Sequence, residues 1–326
     1  MGMNARILTT AALFTTLSGV LTSKAADSQL LSLVMPDAKV IAGVNVDSAK
    51  SSTFGIYLIA QIQANAAALQ QLVTLTGFDP TRDLHEILAA TNAAGSGAHA
   101  GLSLARGNFD VAKITAFATL PGALTETYSG VTIIEDPNKM GGAAFLDATL
   151  VIAGDIPSVK AAIDRSHSGQ SLPSSVVIQV NQWSGTEDAW VVTTVPPYTL
   201  APPSGVPTVP GLGTNAQGIF QKILGAAAGV KFGTTVVVTA QAQADNAQDA
   251  TTLAQTLQLL VNIAQMQTGT NPDPNLTALL QGLSISAKGT LLNITVSLPE
   301  AQIQQLVQQA SKSTQTVVRP HIIRKK

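Results

Sequence analysis

A chain of 326 residues that is 45% hydrophobic, 11% charged and free of cysteine can bury one large core or two smaller ones without disulfide support. The missing thiols also exclude a cysteine nucleophile, thiolate metal sites and a lipidated cysteine anchor. The formal net charge of −1 hides an asymmetry: setting aside Arg6, Lys24 and the five basic residues from Lys312 onward leaves 11 basic against 19 acidic residues, a body that repels phosphate backbones and excludes nucleic acid as a partner.

Residues 1–25 read as an export signal. Arg6 gives a positive start, Ile7 to Leu21 an apolar run, and Ser23-Lys24-Ala25 small residues at the first and third positions before a cut. The run falls short of the roughly 20 residues that cross a bilayer. The expectation is a cleaved signal peptide, a mature chain from Ala26, and a periplasmic or secreted protein.

Val40, Ala42, Val44 and Val46 alternate through 39–47 and predict a strand. Ser51-Ser52-Thr53 offers capping hydroxyls to a long helix whose stripe is Ile59, Ile62, Ala66, Leu69 and Val73. Asp79 as cap and Pro80 in the first turn predict a shorter helix ending near Ala90, with Arg82 and Glu86 paired one turn apart. A strand over 101–105, a turn over 106–110 and a helix over 111–118 follow. Short strands at 131–134, 143–146 and 149–153 make a meander, Pro157 opens a helix ending near Arg165, and 167–175 reads as a linker.

The second half begins with predicted strands at 176–180 and 189–195. Pro196-Pro197, Pro202-Pro203, Pro207 and Pro210 then predict an extended surface loop over 196–215, a flap or an ordered connection. A helix over 216–228, a strand over 234–244 and a long helix striped by Leu253, Leu257, Leu260 and Val261 come next. Asn271-Pro272-Asp273-Pro274 breaks that helix before a short one through Leu280. A hairpin pairs 283–287 with 292–298, and Pro299-Glu300 opens a last helix through Ile303 and Leu306.

The order strand, long helix, Pro-started short helix, strands and Pro-started last helix occurs over 38–166 and again over 233–312. It reads as an internal repeat or as common design without shared ancestry. The predicted fold is α+β, two related halves (26–170 and 171–312) each with a mainly antiparallel sheet covered by amphipathic helices, followed by a basic tail over 313–326.

Phe78-Asp79-Pro80 with Arg82-Asp83, the turn Ala105-Arg106-Gly107-Asn108-Phe109-Asp110, the hairpin Phe145-Leu146-Asp147-Ala148-Thr149-Leu150 and the following Ala153-Gly154-Asp155 resemble exported, uncharacterised bacterial α+β proteins. The resemblance covers about the first half. It implies compartment and fold, and it brings no activity with it.

No catalytic, cofactor or metal residue is assigned from the sequence. His85-Glu86 begins like a zinc-protease helix, but position 89 is Ala where the second ligand must stand, so His85 reads as a solvated helix residue. His99 and His321 read as surface residues, and His167 as a cation suited to a helix end. The Gly-x-Ser-x-Gly elbow is absent, and Asp79, Asp83 and Glu86 read as acids favoured by a helix dipole. Gly95-Ser96-Gly97 precedes a strand, and Gly211, Gly213 and Gly218 lack a following Lys-Ser or Lys-Thr, so neither cluster reads as a phosphate site.

Asn275 and Asn293 match a glycan-acceptor pattern and carry no weight without a known secretory pathway. The basic tail reads as a solvated terminus, with anionic membrane or cell-wall polymer as the alternative contact. The leading expectation is a noncatalytic envelope protein that binds a protein or surface partner through its sheet or Pro-rich loop. The alternatives are a carrier of an apolar ligand and a hydrolase with dispersed site residues.

Overall fold

The computed structural model describes residues 25–64, 67–92, 101–119, 124–169, 172–200, 221–268 and 274–305. Residues 1–24 of the predicted signal, the Gly95 cluster with His99, the loop from 201 to 220 and the basic tail with His321 lie outside the described residues.

The chain opens with α1 (Ser28–Leu33), β1 (Val40–Asn45) and the helices α2 (Val46–Lys50), α3 (Thr53–Ala64), α4 (Ala67–Thr76) and α5 (Pro80–Asp83). Next come β2 (Leu84–Thr91), β3 (Gly101–Gly107), α6 (Val111–Thr119) and a four-strand meander, β4 (Leu124–Tyr128), β5 (Val131–Glu135), β6 (Gly142–Asp147) and β7 (Leu150–Gly154). Two helices, α7 (Ile156–Ser168) and α8 (Ser174–Ser184), lead to β8 (Ala189–Thr193), β9 (Ile223–Lys231) and β10 (Thr235–Ala244). Then α9 (Ala247–Thr268), α10 (Pro274–Gly282) and the hairpin β11 (Leu283–Lys288) and β12 (Leu291–Pro299) follow, and a last helix starts at Glu300.

All the described strands join one antiparallel sheet of twelve, in the order β11-β12-β10-β9-β8-β1-β2-β3-β7-β6-β5-β4. The α+β class is therefore as predicted, built on one continuous sheet: β8 pairs with β1 of the first half and with β9 of the second. The pairing does not repeat between the two halves. After the helices β2 returns directly to β1, whereas β11 goes to the edge and β12 pairs with β10.

Five predicted elements change type or length. Over 84–91 the chain is a strand, because Leu88 and Ala90 alternate into the core and β1 and β3 pair it on both sides. Over 176–180 it is helix: Val180 and Trp183, three residues apart, are buried together beneath a β-branched sequence that reads locally as strand. Over 223–231 the alanine run is strand, since β8 and β10 flank it and Ala227 faces the core, overriding alanine's helix propensity. The strand expected through 47 ends at Asn45, whose side chain caps α2 by accepting from Ser48 N at 2.9 Å. Of the expected linker, 167–168 extend α7, which closes on Gly169 at φ 68°.

The main core lies on one face of the sheet. Ile41, Leu88, Leu104, Ile152, Val192 and Ala227 point to it, and α1, α7 and α8 cover it with Leu30, Leu33, Val159, Ile163, Val180 and Trp183. A second core lies at the β11 end on the opposite face, where α9 lays Ala250, Leu253 and Ala254 over Ala244 and Leu292, with Ala242, Ile285 and Ile294 alongside. The helices thus change sides along the sheet. At the β11 end the helix-free face is polar: Gln241 Nε2 donates to the facing Asn293 Oδ1 at 2.9 Å.

Asp155 shows how the helices are fixed. Its carboxylate caps α7 by accepting from Ser158 N at 2.9 Å and ties β3 by accepting from Gly101 N at 2.9 Å. Burial pushes this carboxyl upward, but those hydrogen bonds outweigh it and hold its pKa below the usual aspartate value. A depressed pKa contributes stability above the unfolded value of about 3.9 and loses it as pH falls through the folded value. Asp155→Asn is therefore expected to lose less melting temperature than wild type between pH 5 and pH 2.5. Parallel losses would remove Asp155 from the acid response.

The hairpin edge has its own device. Gly289-Thr290 is a two-residue loop, so Lys288 and Leu291 form the bonded closing pair and, by alternation, the Ile285 carbonyl points to the open edge. Gln258 Nε2 of α9 donates to that carbonyl at 3.1 Å.

Candidate functional site

The register aligns one residue from each strand into a continuous row on the face opposite the main core. Ala240 faces Ala228, Ala228 faces Val191, Val191 faces Ala42, Ala42 faces Ala89 and Ala89 faces Ser103. Directly opposed residues share a face, so these small side chains form a shallow trough across six strands, about 24 Å at a strand spacing of about 4.8 Å. Ala89 and Ser103 are exposed, Ile87 beside them is 36% exposed, and the other members are half-buried. Toward β12 the trough deepens into a hollow of about 170 Å³ lined by Val191, Ala226, Ala228, Ala240, Ala242 and Ile294.

A second concavity, about 570 Å³, lies between α1 and α8. Leu31, Leu172, Val177 and Ile178 form its apolar wall, Ser28, Ser32, Ser174 and Asn181 its rim, and Ile178 is 68% exposed. A third, about 490 Å³, is polar and holds Arg82, Asp83, Asn108, Asp110 and Lys113 beside Phe78 and Phe109. Its charges neutralise one another: Arg82 Nε lies 2.6 Å from Asp83 Oδ1 and Lys113 Nζ 2.9 Å from Asp110 Oδ2. Phe109 stands between Phe78 and Phe145, with ring centres 5.5 Å away on each side, which anchors this corner.

Arg82 thus pairs with its neighbour Asp83, in place of the predicted Glu86, because Glu86 has passed onto β2. The Arg82 hydrogen bond holds the Asp83 carboxyl low, and the Thr81 hydroxyl does the same for Asp79. Asp79 and Asp83 are therefore a cap and an ion-pair partner.

His85 is a strand residue, and it is tied at both nitrogens. Its Nδ1 lies 3.0 Å from Asp47 Oδ2, and Asn108 Nδ2 lies 3.0 Å from Nε2. With Asn108 donating to Nε2, Nδ1 carries the proton and donates to Asp47. This is the aspartate–histidine half of a triad with an amide where a nucleophile would stand. His167 closes α7, its Nδ1 2.9 Å from Ile163 O.

Among the described residues no group of three or more His, Asp and Glu is placed to hold a metal ion, and no helix is long and apolar enough to cross a membrane. The Asn293 side chain is engaged by Gln241 within the sheet. Sequence reading missed the trough, because its signal exists only once the strands are in register.

No family model and no curated protein matches the chain. Among solved structures, crystal form III of TP0453 aligns at a TM-score of 0.52 and 12% identity, covering 86% of this chain and 98% of that one. Crystal form I of TP0453 aligns at 0.50 and 12%, covering 86% and 97%. At such identity the likeness is one of fold: this chain shares the α+β architecture of TP0453.

Proposed function

We propose that this chain is an exported, noncatalytic envelope protein that binds a protein partner across the trough of small side chains. The observation that carries the reading is the row Ala240–Ala228–Val191–Ala42–Ala89–Ser103, which leaves mid-sheet apolar surface open while helices bury the other face. Small side chains on a sheet admit close approach of another backbone, and apolar surface of this kind gains about 25 cal/mol per Å² when covered. The hollow is smaller than the roughly 300 Å³ at which ligand sites begin, which favours a broad protein contact over a small molecule here.

A photo-crosslinking residue at position 89, in cells exporting the protein, is expected to give a discrete adduct. The same residue at position 295, on the polar helix-free face, is expected to give none. Ala228→Glu, which places a charge in the trough, is expected to reduce the adduct at least tenfold while leaving the melting temperature within a few degrees. Equal adducts from both positions would sink the reading.

The groove between α1 and α8 favours a second reading, a carrier of an apolar ligand, because its volume falls within the ligand-site range. A discrete mass carried by the native protein and lost on denaturation supports the carrier.

A further inference from the structure

The first residue buried in the described chain is Ala26, 8% exposed. Its backbone nitrogen donates to Ser184 Oγ at 2.9 Å, a buried bond across 158 positions of sequence. Ser184 Oγ lies 3.5 Å from Asn181 O, so its proton points away and its lone pairs face Ala26. One residue later, Asp27 N lies 3.2 Å from each oxygen of the Glu86 carboxylate. Asp27 in turn caps Gln29 and Leu30 and pairs with Arg106 at 3.1 Å. The Ala26 nitrogen therefore sits at a hydroxyl, one residue from a carboxylate, while Ala25 before it is exposed.

We infer that hydrolysis of the Ala25–Ala26 bond creates a structural ion: the new α-ammonium of Ala26 is held by Ser184 Oγ and the Glu86 carboxylate and pins α1 to the sheet. The inference rests on the export reading for the cut itself. Water adds across the amide under a signal-removing peptidase; Ala25 leaves with a carboxylate and the Ala26 nitrogen takes up protons as the ammonium. An ammonium brings three donors and no acceptor, and a carboxylate within about 4–6 Å favours its charged form.

Among the described residues, the charged groups tied to this segment are Asp27 itself, Glu86 on β2, which accepts from Asp27 N, and Arg106 on β3, which pairs with Asp27; the sequence of α8 contains no charged residue. A free α-amine titrates at about 7.7–8.0. The seated amine is expected to titrate higher, so its contribution is present below pH 8 and is lost as pH rises through the folded value.

The test uses the chain from Ala26 to Lys326, released with a free amine from a cleavable fusion, and the rate at which an amine-reactive ester acylates the α-amine at pH 7. The folded wild type is expected to react at least tenfold more slowly than a peptide of the same N-terminal sequence. Glu86→Gln and Ser184→Ala should each restore much of that rate, with far-UV circular dichroism checking that both variants fold. The free-amine chain should also melt higher at pH 6 than one that keeps Ser23-Lys24-Ala25, and the gap should close in Glu86→Gln.

Acylation of the folded wild type at the peptide rate would overturn the seat. The cut is judged separately: exported protein starting at a residue other than Ala26 refutes the processing site, whatever the acylation rate shows.

Discussion

Trp190→Ala is expected to destabilise the fold by about 3–5 kcal/mol, and to make alanine tolerable at Gly43. Trp190 of β8 is 5% exposed and lies directly across from Gly43 of β1 in the ladder. A Cβ built on Gly43 would come within 2.5 Å of Trp190 Cζ2, so the indole occupies the space that glycine leaves. In the wild type Gly43→Ala should therefore cost about 1–3 kcal/mol through overpacking. After Trp190→Ala the added methyl instead enters the cavity, and its cost should nearly vanish. A double-mutant cycle by urea unfolding reads this coupling directly; strictly additive losses would show that the two positions do not share the space.

Leu30→Ala is expected to cost about 2–5 kcal/mol, and its effect should reach beyond α1. A six-residue helix has no independent stability, so α1 is held by Leu30, Leu31 and Leu33 in the core and by the Asp27 cap. Its end has a second duty, because Leu33 O accepts from Arg165 Nε of α7 at 2.9 Å. Arg165 is 7% exposed, burial lowers its pKa, and its Nη2 has no hydrogen-bond partner. Loosening α1 therefore strips a buried guanidinium of its carbonyl, and such groups are costly to leave unpaired. Hydrogen exchange in Leu30→Ala should rise at α1 and around Ile163 to Arg165 together. A rise confined to α1 would show that the carbonyl is replaceable.

Much of this fold is legible in the sequence where local chemistry and tertiary demand agree. The Asp155-Ile156-Pro157 start of α7, the Lys288-Gly289-Thr290 hairpin and the alternation of β10 all carry their own signals, and each forms where expected. The misreadings fall where neighbours decide. Ala226 to Ala228 are strong helix formers, held as strand by ladders on both sides. Val176, Val177 and Ile178 favour strand, yet the chain needs a helix there to bring Val180 and Trp183 onto the sheet.

The trough was the least legible feature. Ala42, Ala89 and Ala228 look like ordinary small residues, and only the pairing of distant strands sets them side by side. Ser184 gave no signal either, since its partner lies at the other end of the first half.

Gln258 has a consequence for behaviour in concentrated solution. An open sheet with a free hairpin edge invites another copy to add strands, and repeated addition leads to fibres. By occupying the outward carbonyl of Ile285, α9 breaks the periodic array of acceptors that an incoming strand would have to match. One glutamine amide thus works against a further strand, borrowed from a neighbour, joining at the β11 edge, and leaves the β4 edge of the sheet untouched.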